Sequence, residues 1–322
     1  MSNPTKIDLS GKVQRPTRDG FGEGLVLAGK KDPNVVALCA DLTESTRMLP
    51  FKKIFPERFI QMGVSEQALV AIGVGLALDG KIPFTASYAV FSPGRSWDQV
   101  RTNVCLNNVN VKIVGAHAGV SVGPDGATHQ ALEDIAIMRV LPRMTVIYPC
   151  DAVEARKATL AAAELKGPVY LRFAREKTPV MTKDETAFVI GQAVVMRDGH
   201  DCAIIASGPL LYNALLAAEE LSKEKISCRV INNHTIKPLD EPTLVAAAKD
   251  CGAAVTVEEH QIMGGMGSAV AELLAQREPV PIEFVGVRDQ FGQSGEPNEL
   301  LEHYGMGAKD IVAAVKKVIR RK

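Results

Sequence analysis

The sequence has no net charge. Its 37 Lys and Arg are matched by 37 Asp and Glu among 322 residues. Without basic blocks it offers no electrostatic footprint for nucleic acid or for an anionic membrane surface, and neither is expected as a partner. It also lacks a long apolar run. The longest, ALVAIGVGLAL at 68–78, falls short of the about 20 residues that span a bilayer. The start, MSNPTKIDLS, has no apolar core and does not read as a signal peptide. No two cysteines form a C-x-x-C pair. Cys39, Cys105, Cys150, Cys202, Cys228 and Cys251 sit mostly in apolar runs such as VVALCA and CAIIAS. That usage predicts buried, reduced thiols in a cytoplasmic protein.

What is present is ordinary for a globular chain, with 46% hydrophobic and 23% charged residues. The length suggests two domains, each able to bury a sizeable core. Val/Ile-rich runs alternate with Ala/Leu-rich amphipathic ones. Strands are expected at 35–40, 58–63, 82–87, 111–116, 144–148 and 168–173, with helices at 17–31, 65–79, 93–107, 130–140 and 151–166. A second series follows, with strands at 201–206, 227–231, 253–258 and 281–285 and helices at 209–224, 240–250, 266–276 and 308–320. Continuous apolar strands separated by helices argue for mostly parallel sheets covered on both faces. The fold class is therefore α/β, two such domains in succession. Residues 176–189, EKTPVMTKDETAFV, show no period and read as the linker between them.

In parallel α/β sheets, functional groups gather at the carboxyl ends of strands. Asp41, Ser65–Glu66, Ser87–Tyr88, His117 and Arg175 all fall at such ends. Each also has a plainer reading. Glu66 after Ser65 suits the first turn of a capped helix. Asp41 suits a turn, and Tyr88, Phe91 and Trp97 suit packing. His117 and His129 flank a glycine-rich loop, VGPDGATHQ, that carries Asp125. They lack a metal-ligand spacing. A loop that offers His, Asp and backbone N–H groups to a substrate fits better. GGMGSA at 264–269 opens a helix and could bind an anion or simply permit close packing. His260 is left as a domain contact.

Taken together these segments resemble the C-terminal half of transketolase. ADLTEST, MGVSEQALVAIGVGLAL, AHAGVSVGPDGATHQALEDIAIMRVLP and VYLRFAREKTPV carry the resemblance, and it covers nearly the whole chain. It implies an N-terminal extension (1–15), a pyrimidine-binding domain (16–175), the linker (176–189) and a transketolase C-terminal domain (190–322). It implies thiamine diphosphate as cofactor, bound here by its pyrimidine end. The family's other half carries a Gly-Asp-Gly…Asn motif for Mg2+ and diphosphate, and this sequence has none. Asp79–Gly80 imitates part of it, but Leu78 replaces the first glycine. The resemblance thus implies one subunit of a split transketolase. An N-terminal partner subunit would hold Mg2+, in an α2β2 heterotetramer.

The resemblance also assigns roles. Glu66 hydrogen-bonds the aminopyrimidine from an apolar pocket, Tyr88 and Phe91 stack on the ring, and Asp41 lies near the cofactor and the subunit contact. His117, Asp125 and His129 face the sugar, with His117 and His129 counted as catalytic alongside Glu66. Arg18, Ser45 and Arg175 match the phosphate end. No metal ligand is assigned to this chain. Pro93–Gly94 stands where many transketolases have a further aromatic, and Gly119 and Pro124 also differ. The terminal group of the sugar stays open between phosphate, sulfonate and no anion. The alternatives are the β subunit of the decarboxylating component of a 2-oxo acid dehydrogenase, a subunit like deoxyxylulose-phosphate synthase, and a non-catalytic scaffold.

Overall fold

The computed structural model describes residues 9–322. The first eight residues of the expected N-terminal extension lie outside this range. The first half of the chain runs β1 (Gln14–Pro16), α1 (Thr17–Lys31), β2 (Val35–Cys39), α2 (Leu49–Ile54), β3 (Phe59–Gln61), α3 (Glu66–Leu78), β4 (Ile82–Tyr88), α4 (Trp97–Gln99), β5 (Lys112–Ala116), α5 (Asp134–Arg139), β6 (Thr145–Ile147), α6 (Ala152–Glu164), β7 (Val169–Arg172) and β8 (Lys177–Pro179). The second half runs β9 (Val194–Arg197), β10 (Cys202–Ala206), α7 (Leu211–Lys223), β11 (Cys228–Asn232), β12 (Thr235–Lys237), α8 (Glu241–Cys251), β13 (Ala254–Gln261), α9 (Met266–Arg277), β14 (Ile282–Val287), α10 (Pro297–His303) and α11 (Ala308–Ile319).

Two successive α/β units result, as the alternating apolar runs foretold. The first sheet has the order β12-β6-β7-β5-β4-β2-β3 and the second β14-β13-β10-β11-β9. All pairings within these two sheets are parallel except β12 with β6 and β9 with β11. Strands such as β2, β5 and β10 are buried at every residue, because helices cover both faces. On one face α1 lies tight against α6. A Cβ on Gly20 would meet the carbonyl oxygen of Ala152 at 1.9 Å, and one on Gly24 would meet Thr159 at 2.7 Å. On the other face Val70 and Val74 of α3 join a core that continues into the second unit through Ile231, Leu244 and Met266.

Several elements depart from the sequence expectation. The helix expected at 93–107 begins at Trp97 and winds as a π-helix over Val100–Leu106. The helix expected at 130–140 shortens to α5, because Ala131 is engaged in a bridge with Ala118. Residues 176–189 contain β8, which pairs antiparallel with β1. β12, from the second half, extends the first sheet. All six cysteines are buried and unpaired. Among the described residues no helix is long and apolar enough to cross a membrane.

Candidate active site

The carboxyl ends of β2 and β5 carry non-glycine residues in the left-handed region. Asp41 has φ 58, Arg47 φ 62 and His117 φ 55. Such strained backbone persists where surrounding structure over-determines it, and it concentrates at functional sites. The residues singled out from the sequence lie around these ends.

One group forms a wall of rings. Tyr88 lies 4.0 Å from His117, 5.9 Å from Phe91 and 6.2 Å from His129, between ring centroids. Phe91 meets His129 edge-on at 5.3 Å. Glu66, the first residue of α3, is buried beside this wall. Two expectations about it are corrected. Ser65 does not cap the helix, because its hydroxyl donates to the Met62 carbonyl at 2.8 Å. Nor is the pocket apolar. Arg95 Nη1 donates to both Glu66 oxygens, at 3.2 and 3.3 Å, and its guanidinium lies over the Phe91 ring at 4.2 Å.

A second group is cationic. Arg18 Nη1 donates to the Ser45 carbonyl at 3.0 Å and meets His117 Nε2 at 3.0 Å. Ser45 therefore offers its carbonyl, not its hydroxyl, to this arginine. Guanidinium has no lone pair to give, so Nε2 of His117 accepts and Nδ1 carries the proton. That Nδ1 is buried and without a partner among the described residues, as is Arg18 Nε. Burial, then the charges of Arg18, Arg175 and Arg47, push the His117 pKa down to about 2. Burial and the neighbouring Arg47 lower that of Arg18. Arg175 donates to the Val122 carbonyl at 2.5 Å and pairs loosely with Asp125 at 3.7 Å. Asp125 is exposed on a loop whose first residues, Val120–Gly123, are buried, and His129, partly buried, contacts the Thr128 hydroxyl through Nδ1 at 2.9 Å. Tyr88 against His117 joins the two groups. Asp41 is exposed and held from another side, donating its N–H to Gln61 Oε1 at 2.9 Å.

The second unit fixes the loop that carries these residues. Glu259 Oε1 accepts the Ser121 N–H at 2.6 Å. Gln130 Nε2 donates to the carbonyls of Val120, Gly123 and Gln293. Gly119, at φ 90, leaves room for the Glu259 carboxylate. Beneath the loop, Arg172 is fully buried. It is bidentate to Asp134, at 2.8 and 3.1 Å, and also donates to the Ala131 and Glu259 carbonyls. Burial works against its charge, but the Asp134 carboxylate holds it protonated. The anion reading of GGMGSA is answered from within. Met266 and Gly267 donate their N–H groups to Glu258, at 2.6 and 2.8 Å, so the protein's own carboxylate fills that helix start. His260 does contact the first unit, accepting the Ala136 N–H at 3.4 Å.

Sequence reading missed Arg95, Arg47, Glu259 and Gln130. The spacing of Arg95, four residues after Phe91, was the one available signal for it. The other three are defined by partners distant in sequence. Among the described residues no group of three or more His, Cys, Asp or Glu is placed to hold a metal.

Residues 14–181 match the family model described as the transketolase pyrimidine binding domain, and residues 191–311 match the transketolase C-terminal domain. A protein of Methanocaldococcus jannaschii, provisionally described as a transketolase C-terminal section, is 42% identical over 98% of this chain and 99% of its own length. The 6-deoxy-6-sulfo-D-fructose transketolase subunit SqwH of Clostridium sp. (strain MSTE9) is 39% identical over 100% of this chain and 99% of its own. A solved structure described as a split gene transketolase, inactive beta4 tetramer, superposes with TM-score 0.89 at 45% identity, covering 95% of this chain and 98% of the other.

Proposed function

This chain belongs to the transketolase family, and from that premise we propose that it is the C-terminal subunit of a split transketolase. It moves a two-carbon ketol unit from a ketose to an aldose, with thiamine diphosphate. Residues 16–175 serve as the pyrimidine-binding domain and 190–322 as the C-terminal domain, joined by 176–189. The partner subunit holds Mg2+ and the diphosphate through its Gly-Asp-Gly…Asn motif, and the natural closed assembly is α2β2 in the cytoplasm.

The observation that carries this reading is the continuous wall from Glu66 through Phe91 and Tyr88 to His117 and Arg18. A flat cationic N–H donor, the Arg95 guanidinium, already fits against Phe91 and Glu66. The wall therefore suits an aminopyrimidine ring. When bound, the cofactor supplies the nucleophilic carbon and takes up the electron pair of the broken C2–C3 bond. Glu66 holds the proton shared with the pyrimidine nitrogen, and Tyr88 and Phe91 orient the ring. His117 donates from Nδ1 to a substrate oxygen, His129 serves the reacting hydroxyl beside it, and Asp125 accepts from a sugar hydroxyl. Arg18 and Arg175, with Arg47 behind them, favour a terminal oxyanion. Phosphate and sulfonate both fit that chemistry, and the relative named for a sulfonated ketose supports including the second. Asp41 borders the subunit contact.

The test is a coupled ketol-transfer assay with thiamine diphosphate, Mg2+ and a ketose–aldose pair. It is run on this chain alone and mixed with a partner that carries the Gly-Asp-Gly…Asn motif. Transfer only in the mixture is the expected result. Partner-dependent decarboxylation of a 2-oxo acid without sugar transfer would replace this reading with the dehydrogenase β subunit.

A further inference from the structure

Arg95 stands in the place the pyrimidine ring needs. Its Nη1 reaches both oxygens of the buried Glu66 carboxylate, at 3.2 and 3.3 Å, and its guanidinium plane lies 4.2 Å from the centre of Phe91. A guanidinium is planar, cationic and donor-only. It presents to Glu66 and Phe91 what an aminopyrimidine would present: N–H donors to the carboxylate and a flat face to the ring. Two such groups cannot share one carboxylate edge and one ring face. The outer side of Arg95 is open, with 53% of its side chain exposed, so it can move into solvent. The segment that carries it lies just before α4, and its own N–H stays tied to the Phe91 carbonyl at 2.8 Å. The side chain can therefore turn while the backbone stays put.

We propose that Arg95 is a built-in plug of the pyrimidine site. In the free chain it fills the site and compensates the buried charge of Glu66. It swings out when the cofactor enters. The inference rests on the reading of Glu66 and Phe91 as the pyrimidine wall. The plug answers a problem peculiar to a site shared between two chains. Before the partner arrives, an open site would leave a buried carboxylate unpaired, which is costly. The contact is also weak enough to yield. A half-exposed ion pair and one cation–π contact are each weak against the contacts of a bound ring.

The test titrates 4-amino-2,5-dimethylpyrimidine, the cofactor's ring alone, into the full chain by calorimetry. Arg95→Ala should bind about tenfold more tightly than wild type, the equivalent of about 1.4 kcal/mol. Arg95→Lys, which keeps the charge but cannot lie flat on Phe91, should fall between. Adding Glu66→Gln to Arg95→Ala should abolish the gain. Binding that depends on Glu66 yet is equal or weaker in Arg95→Ala would overturn the plug and leave the wall standing. Binding in neither protein, or binding indifferent to Glu66→Gln, would overturn the wall and the plug with it.

Discussion

Replacing Gly119 with alanine asks whether the loop carrying Asp125 and His129 is held from the second unit. Gly119 has φ 90 and ψ 176, and a Cβ there would lie 2.2 Å from Glu259 Oε1. The backbone conformation is close to glycine-only and costs another residue about 1–3 kcal/mol. Glu259 would also have to withdraw. It is buried and accepts the Ser121 N–H at 2.6 Å, and a hydrogen bond to a charged group is worth about 1.5–3 kcal/mol. The two costs together come to about 2.5–6 kcal/mol. Gly80 provides the control. Its φ is 84, but a Cβ there meets nothing within 4 Å, so Gly80→Ala should carry only the strain of a positive φ, with no clash. The assays are thermal unfolding of each variant and ketol transfer by the assembled enzyme. Gly119→Ala should melt several degrees below Gly80→Ala and lose at least about tenfold in kcat/KM, because the loop carries Asp125 and His129. Gly80→Ala should retain transfer. Equal losses in the two variants would refute the clamp by Glu259.

Arg18→Gln should raise KM about 10–100-fold for a substrate with a terminal oxyanion and far less for an uncharged analogue. Steady-state kinetics on the matched pair checks this. Arg172→Met should destabilise the fold by about 3–5 kcal/mol, because it strands the buried Asp134 carboxylate. Urea unfolding should show that loss, and Asp134→Leu added to it should recover part. Burial and the neighbouring Asp151 raise Glu154 from 4.5 to about 7, so between those pH values the folded state keeps a proton that the unfolded chain has lost. Stability is full below about pH 4.5 and falls on the way to pH 7, by on the order of 3 kcal/mol. Glu258 is raised to about 7 as well and adds a similar decline, so Glu154→Gln should remove about half of the combined slope in unfolding measured from pH 5 to 8.

What the sequence made legible follows from range. VVALCA and CAIIAS are buried at every strand residue, and burial on both faces writes itself into a local run of apolar residues. α1 and α3 are bounded by Pro16 and by Asp79–Gly80, which are again local signals. β1, β8, β9 and β12 are strands of three or four residues. Each exists because a partner lies far along the chain, so nothing in its own composition announces it. The site divides in the same way. Strand-end placement exposed His117 and Glu66. GRSWDQVR reads as the face of a helix, and only the fold shows Arg95 turning back onto Glu66. Glu259 in VEEHQ reads as a strand end. Its function is defined by the Ser121 N–H, 138 residues away.

The geometry of His117 constrains how any pH dependence of the reaction can be interpreted. Arg18 occupies Nε2, so the proton sits on Nδ1, which has no partner among the described residues. Burial and the three arginines keep the ring neutral down to about pH 2. The native state therefore refuses a proton that the unfolded chain takes up below its ordinary value of 6.5, and this site costs stability as pH falls from there toward 2. Across the neutral range its Nδ1–H remains a donor. A loss of ketol transfer with a midpoint in the ordinary histidine range would then not report protonation of His117. His129 is the histidine to compare with it, because it also packs on Tyr88 and is only partly buried. If His129→Asn moves the acid limb while His117→Asn lowers the whole profile without moving it, the two histidines divide the work as their surroundings require. An acid limb that shifts with His117→Asn would mean that the ring takes up a proton in the working enzyme, and the arginine cluster would then have to be rearranged by the partner.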